Sequence, residues 1–586
     1  MRFAFLMRHR RSVALSSTLF GAATLIACAT RVPDGEVTSR DGMVVSSHHV
    51  ASDVGAVVLE QGGNAVDAAV ATAFALAVTH PSAGNIGGGG FMVIRLADGT
   101  ATTIDYREKA PGLATPTMYL DRAGKILGEA TDSGWKAIGV PGTVRGLALA
   151  HRRYGKLPWA DLVRPSAELA ERGFALSSSL ANSLNRQVDT TFAPFPSSVA
   201  TFGKPGGGRW TVGDTLKLPQ LARALRAIAD DGPDAFYTGW IADSIDAQMR
   251  AHGGLITKSD LAAYEAVERA PVRGTFRGHE VIGMGPPSSG GAVTLLVLAQ
   301  LEALGVDGMR RDSTPYLHRR AEASRRAFLE RARWLGDADF TRIPLERILA
   351  RGYADSLANT IDTTRATSSL ALAGDLVNDT GESKETTHFS VVDAEGNAVS
   401  NTYTLEYSYG SGVVIAGFLM NNEMGDFNKK PGYTNTGWAI GTPANVIAPG
   451  KRMLSSMSPT IVAKDGKLLL VTGSPGGRTI PNSTLDVILG VTLFGNGVRE
   501  AVDAPRVHHQ WMPDTLEVEK GAASEAVIAQ LRAIGHAVVE SKPQSQGEAH
   551  TILYDPATRT AHGANDRRGE DSGASKPARA PRRSPD

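Results

Sequence analysis

Lys384-Glu385-Thr386-Thr387-His388-Phe389-Ser390-Val391-Val392-Asp393 is the stretch that decides how this chain is read. A polar run from Asn378 to Glu385 stops at two threonines, and a strand-like alternation follows. Two readings stay open here. In one, a loop simply enters a strand through two β-branched residues. In the other, the chain cuts itself: the Thr386 hydroxyl attacks the carbonyl of Glu385, and cleavage frees the Thr386 α-amine. Such an amine has a pKa of about 7.7–8.0 and can act as the base for its own hydroxyl. One residue then supplies both nucleophile and base.

Beyond Thr386 the pattern is one of strands: His388 to Asp393, Ala398 to Thr404, Thr460 to Lys464 and Lys467 to Thr472. Turn signals at Glu395-Gly396-Asn397 and Asp465-Gly466 separate them. Val487 to Leu493 and Ser524 to Ile534 read as helices. Upstream, Met43 to Val50 reads as a strand, and Ser52 to Thr79 as a helical stretch broken at Gly62-Gly63-Asn64. Strands are expected at Phe91 to Leu96 and at Thr102 to Tyr106, the second ending on Arg107. The glycines at 87–90 are no phosphate cradle, because no Gly-Lys-Ser/Thr follows and a strand replaces the helix. From Pro141 to Asp375 helices dominate, among them Thr143 to Tyr154, Pro219 to Asp231, Ala292 to Ala303 and Thr314 to Trp334. Arg320, Arg325, Arg326, Arg331 and Arg333 on the last of these read as a solvated face. The class is α+β, compatible with a sandwich of sheets between helices drawn from both halves of the chain.

Lys+Arg at 61 against Asp+Glu at 60 gives no support for nucleic-acid binding or a polybasic membrane surface. Aromatics, at 6%, are too few for a base-stacking platform. Arg2, Arg8, Arg10 and Arg11 precede an apolar run from Ser12 to Ala27, the layout of a secretory signal too short to span a membrane comfortably. Leu25-Ile26-Ala27-Cys28 resembles the bacterial lipobox, with Cys28 as the lipidated residue. Residues 1–27 are then a signal, 28–41 a tether, and the membrane is met through the anchor alone, on the periplasmic side of a bacterial envelope. An ordinary signal peptide containing Cys28 is the alternative. Cys28 is the only cysteine, so no intrachain disulfide is possible. Residues 569–586, charged and rich in Pro and Ser, read as a disordered tail.

Four further segments make chemical sense if they converge on Thr386. Arg107, in Asp105-Tyr106-Arg107-Glu108, can grip a carboxylate through its planar guanidinium, or form a surface ion pair. Thr404, one strand on, can sit beside Thr386 by hairpin pairing, or be an ordinary strand threonine. Glu423 and Asp426, in Asn421-Asn422-Glu423-Met424-Gly425-Asp426-Phe427, can bind an ammonium or merely turn the chain. Ser455-Ser456 and the Gly473-Ser474-Pro475-Gly476-Gly477 turn complete the set, since paired glycines let N–H groups converge on an oxyanion. His388 lies two residues past Thr386 and cannot fold back to it, so a structural role is expected for it. No His/Cys/Asp cluster shows metal-ligand spacing, and neither a metal nor another cofactor is expected.

Glu385 to Asp393, Asn421 to Met424, Leu454 to Thr460 and Gly473 to Gly477 resemble the γ-glutamyltransferase family, as do Gly62 to Ala69, Gly139 to Val144, Tyr154 to Trp159 and Pro286 to Gly291. The likeness runs in consistent order from about Met43 to Asp566. It implies an αββα four-layer sandwich of the N-terminal nucleophile hydrolase type. It also implies a precursor cut between Glu385 and Thr386 into a helix-rich large subunit (42–385) and a strand-rich small subunit (386–568) that stay together as a heterodimer. Thr386 would take the γ-glutamyl group of glutathione or another γ-glutamyl compound and pass it to water, an amino acid or a dipeptide. Carried over by motif, Arg107, Ser455 and Ser456 hold the α-carboxylate. Glu406, Glu423 and Asp426 sit at the α-amino group, Gly476 and Gly477 give the oxyanion N–H groups, and Thr404 supports the nucleophile. Glu406 departs from the asparagine of the best-known members and puts three carboxylates near one ammonium, which raises at least one pKa. Residues 431–445, with Trp438, resemble the lid of bacterial members. An acylase of the same fold and an uncleaved, inactive envelope binding protein are the rival readings.

Overall fold

The structure, a computed structural model, describes residues 35–374, 376, 386–436, 439–542 and 545–579. Cys28, Glu385 and Trp438, named above, lie outside them. Among the described residues two seven-stranded sheets form the centre. The first runs Gly573–Ser575, Gly42–Ser46, Thr387–Asp393, Ala398–Thr404, Gly89–Arg95, Ala101–Asp105 and Val267–Arg269. The second runs Val37–Ser39, Thr560–Ala564, Thr551–Asp555, Lys467–Thr472, Thr460–Lys464, His279–Gly283 and Val272–Phe276. Neighbours in both are antiparallel.

Alternation along the strands fixes the layering. Met43, Val45, Phe91 and Val93 of the first sheet face Ile282, Ile461, Val471 and Ile552 of the second. Val44, Met92, Ile94, Ile104, Phe389 and Val391 point the other way, onto the helices His49–Glu60 and Ala65–Thr79 and their neighbours. On the far side of the second sheet, Val281, Val462 and Leu470 pack on the helices Gly290–Ala303, Thr314–Trp334 and Ile480–Thr492. The order is helix, sheet, sheet, helix. The expected αββα sandwich is the observed fold.

Asp393 shows how the sequence secures the central strand. One oxygen accepts from Ala65 N at 2.9 Å, at the start of the alanine-rich helix; the other accepts from the N–H groups of Glu395, Gly396 and Asn397. Asn64 caps the same helix reciprocally with Asp67. Asp67 also accepts from Lys156 and Leu157 N, which ties the Gly62–Ala69 and Tyr154–Trp159 motifs together in space.

Two expectations need correction. The segment from Gly569 is not a free tail throughout: Gly573–Ser575 pairs with Gly42–Ser46. Its small residues suit a crowded edge, and a Cβ on Gly573 would meet His49 Cβ at 2.6 Å. Residues from 580 lie outside the described part. The arginines of Thr314–Trp334 are also not a solvated face, for Arg320, Arg325, Arg326 and Arg331 are all buried. The helix packs against both Gly290–Ala303 and the C-terminal segments, and three of these arginines meet carboxylates inside. Glu322 pairs with Arg325 and Arg326, and Arg320 reaches Asn482 and Asp486.

Asp393→Ala would leave four backbone N–H groups without their carboxylate. Each buried orphan costs about 1–3 kcal/mol, so a loss of about 2–4 kcal/mol is expected after partial rehydration. Denaturant unfolding of the variant against the parent reads it.

Candidate active site

Register carries Thr386 to its place. Val392 lies opposite Ala398 and Thr387 opposite Tyr403. One step further, the same register sets Thr386 level with Thr404, and both line one cavity of about 680 Å³. Thr386 is 7% exposed and Thr404 2%. Arg107, Glu406, Glu423, Asp426, Ser455, Ser456 and Gly477 line the same cavity. Four separated segments thus meet at the threonine, as the sequence led us to expect.

Each is held by a motif. Arg107 follows the strand Ala101–Asp105, with its N–H on Asp105 Oδ1 at 3.0 Å. Asn421 fixes its own loop through Gly87 O and Gly139 O, both at 2.8 Å. The Pro286–Gly291 turn supports the serine pair: Ser455 N donates to Pro287 O, while Ser289 N and Oγ donate to Ser455 O. Gly476 (φ 127°) and Gly477 (φ 56°) both occupy the left-handed region, and a Cβ on Gly476 would run into Thr479 Oγ1. Only Gly477 of the pair lines the cavity. The two glycines lead through a single 3₁₀ turn into the helix Ile480–Thr492, whose Pro481 suits a first turn. That helix begins seven residues earlier than the apolar periodicity indicates.

Charge is concentrated around Arg107. Its Nη1 lies 2.6 Å from Glu423 Oε2 and 3.4 Å from Glu108 Oε2, and its Nη2 pairs with Asp426. Burial opposes the Arg107 charge, but the three acids outweigh it and raise its pKa. Burial raises the acids too. Glu108 is pushed up to about 8, against the pull of Arg107. Glu406 and Glu423 are carried well above the ordinary carboxylate range by desolvation, with Asp426 adding to both. Among the described residues Glu406 Oε2 and Glu423 Oε1 are buried without a hydrogen-bond partner. Glu406 also holds a positive φ of 80°, unusual for a residue with a side chain, which turns the chain sharply at the cavity wall.

His388 has the structural place expected of it. It is fully buried, between Thr402 Oγ1 at 2.8 Å and Ser390 Oγ at 3.1 Å, and stacks on His550 at 6.5 Å. Desolvation keeps it neutral. Asp393, its sequence neighbour, is committed to its turn.

Lys429 and Arg478 line the cavity and escaped the sequence reading, Arg331 was placed on a solvated face instead, and Tyr433 belongs to the 431–445 segment likened to a lid. For Arg331 a signal existed. At 3.6 residues per turn, Arg320 and Arg331 share one side of their helix while Arg325 and Arg326 do not, so the set never described one face. The expectation of no ligand-spaced cluster is likewise corrected: atoms of His318, Glu322 and His536 lie within 4.8 Å of one another, away from the cavity. The i, i+4 spacing of His318 and Glu322 was legible. The cluster is a poor fit for a cation. Glu322 is spent on two guanidiniums, and His318 Nδ1 already meets His536 Nε2 at 2.7 Å.

A four-layer αββα sandwich with a threonine opening a central strand into a cavity defines an N-terminal nucleophile hydrolase. The sequence model of the gamma-glutamyltranspeptidase family matches residues 51–575. The glutathione hydrolase proenzyme of Escherichia coli (strain K12) is 43% identical over 574 residues, covering 96% of this chain and 98% of that protein. A gamma-glutamyltranspeptidase structure from Helicobacter pylori is 42% identical, with TM-score 0.54 over 55% of this chain and 92% of that one. A cephalosporin acylase structure from Bacillus halodurans superposes with TM-score 0.80 at 25% identity, over 95% of this chain and 99% of that one. The chain belongs to the γ-glutamyltranspeptidase family.

Glu108 gives this region a pH signature. Its folded pKa exceeds its unfolded one, so the folded state holds the proton more tightly. The stability this contributes is complete below about 4.5 and is lost as pH rises through about 8. Glu108→Gln removes the titration, so its melting temperature should fall less than that of the parent between pH 5 and pH 8 in a thermal-melt series; parallel curves would count against a buried, titrating Glu108.

Proposed function

We propose that the chain is a self-processing γ-glutamyltransferase and glutathione hydrolase. The observation that carries the reading is the grouping, in one cavity, of Thr386 with Arg107 and two buried carboxylate oxygens without a hydrogen-bond partner. A γ-glutamyl donor brings a carboxylate, an ammonium and, two methylenes away, the reactive carbonyl. An ammonium has three N–H donors for Glu406 Oε2, Glu423 Oε1 and Asp426. Its neighbouring carboxylate takes Arg107, with Ser455 and Ser456. Because the head group is a zwitterion, it enters the Arg107–Asp426 pair with the charge count unchanged: one cation and one anion are exchanged for another of each. Anchored at its head, the substrate holds its carbonyl at Thr386.

In this mechanism the freed α-amine of Thr386 takes the hydroxyl proton as Oγ attacks the γ-carbonyl. The N–H groups of Gly476 and Gly477 receive the oxyanion, and Thr404 steadies the nucleophile. Collapse expels the amine of the leaving group with that proton and leaves a γ-glutamyl ester on Thr386. Water, or the amine of an amino acid or dipeptide, then attacks the ester and restores the threonine. The same hydroxyl, acting earlier on Glu385, would cut the precursor into its two subunits, 42–385 and 386–568 with the segment that follows. No cofactor enters any step.

The name proenzyme borne by the relative from E. coli supports processing, and the lipobox-like Leu25–Cys28 supports a lipid-anchored protein of a bacterial envelope. No helix of the described residues is long and apolar enough to cross a membrane. An acylase of the same fold remains the second reading, because a neighbour with TM-score 0.80 carries that name.

Denaturing electrophoresis tests the processing. The parent should run as two fragments and Thr386→Ala as one; a single intact band in both defeats the proposal. Arg107→Ala removes a charge-assisted contact worth about 1.5–3 kcal/mol, so KM for γ-glutamyl-4-nitroanilide should rise about 10- to 100-fold. Steady-state hydrolysis measures it, with a plain acyl anilide as the comparison that singles out an acylase.

A further inference from the structure

Arg331 lines the same cavity as Thr386 but differs from the other buried arginines of its helix. Arg320 has Asp486, and Arg325 and Arg326 share Glu322. Arg331 is just 8% exposed, and its partners are neutral: Nε donates to Ser289 Oγ at 2.9 Å and Nη2 to Ser456 Oγ at 3.1 Å. Among the described residues no carboxylate stands within ion-pair distance of it. A buried cation is stable only when an anion compensates it. Desolvation pulls Arg331 down to about 9, with Arg478 adding to the effect and Asp426 opposing it. A guanidinium keeps its proton in proteins, so the cost of burial falls on a charged side chain whose hydrogen-bond partners are neutral hydroxyls.

Around Arg107 the imbalance is reversed. One guanidinium there faces Glu108, Glu423 and Asp426, with Glu406 close by in the same wall. A carboxylate arriving at Arg107 alone must compete with Glu423 and Asp426 for its N–H donors. The link between the two regions is Ser456, whose neighbour Ser455 is fixed by Pro287 and Ser289, the latter itself bonded to Arg331.

We propose that Arg331 is a specificity-determining residue for the reaction, the second cation of the site that takes the donor's α-carboxylate. The carboxylate lies between Ser456 and Arg331 on one side and Arg107 on the other, while Arg107 continues to orient Glu423 and Asp426 toward the ammonium. The inference rests on the γ-glutamyl reading above and sharpens it: the donor must carry a carboxylate on the carbon that bears its ammonium. Decarboxylated analogues are refused because they leave a buried guanidinium uncompensated.

The test compares the processed parent enzyme with Arg331→Gln and Arg331→Lys on two substrates, γ-glutamyl-4-nitroanilide and its decarboxylated analogue 4-aminobutyryl-4-nitroanilide. Two bands on a denaturing gel certify that each variant has folded and matured. For the γ-glutamyl substrate, Arg331→Gln should raise KM at least about tenfold while kcat stays within about threefold, because a ground-state charge contact is lost. Arg331→Lys should recover most of the KM. For the decarboxylated substrate kcat/KM should not fall in Arg331→Gln, because that substrate has no carboxylate for the guanidinium to hold and its removal lifts the penalty. A KM within twofold of the parent in Arg331→Gln overturns the inference. So does an equal loss on both substrates, or a fall in kcat alone, since a residue that merely supports the fold acts without regard to the carboxylate. If a variant fails to mature, competitive inhibition of the parent by L-glutamate against 4-aminobutyrate decides instead, and equal inhibition overturns the inference. A parent that cleaves a plain acyl anilide but not the γ-glutamyl one defeats the underlying function and this inference together, whereas the Arg331 results alone leave that function standing.

Discussion

The register of Thr387–Asp393 between Gly42–Ser46 and Ala398–Thr404 is the constraint on which everything else rests. Side chains alternate faces with a period of two, so a slip of one residue would turn Phe389 and Val391 away from the helices and move Thr386 off its partner. Asp393 prevents the slip at one end by tying its turn to the alanine-rich helix. At the other end the strand stops where the cavity begins. The position of one hydroxyl is therefore set by apolar packing far from any chemistry.

The cavity solves an electrostatic problem rather than a packing one. Glu406, Glu423 and Asp426 share a small volume with Arg107 and Arg331, and Glu423 and both arginines are removed from water. Glu108, Glu406 and Glu423 are raised by burial, and Arg107 pulls each of them back. Such a set costs stability in isolation. Under the proposed function it becomes favourable when a head group with both signs of charge completes the pairing.

Much of this was legible in the sequence, for definite reasons. The strands Ala398–Thr404, Thr460–Lys464 and Lys467–Thr472 and the helices Thr143–Tyr154, Pro219–Asp231 and Thr314–Trp334 announced themselves because one periodicity and clear turn residues bounded each. Arg107, Thr404, Glu406, Glu423, Asp426 and the serine pair, which line the cavity, stood out as candidates because short motifs carried them. Arg331 did not, since its meaning depends on a helix being enclosed on several sides, and charge in sequence looks the same whether it meets water or protein. Nor did the strand at Gly573–Ser575, whose small residues carry no apolar signal and pair only because the edge of Gly42–Ser46 is there to receive them.

The buried arginines of Thr314–Trp334 have one more consequence. The helix precedes residue 386, yet Arg320 reaches Asn482 and Asp486, Arg325 reaches Asp514, and Arg331 reaches Ser456, all of which follow it. It acts as a rivet through both parts of the chain. Pulling the parts away from each other would strip several guanidiniums of their partners inside a dry interface before water could reach them, a barrier to separation quite apart from the depth of the final well. A backbone severed at 386 would therefore remain one particle, held as much by the slowness of parting as by the strength of the union.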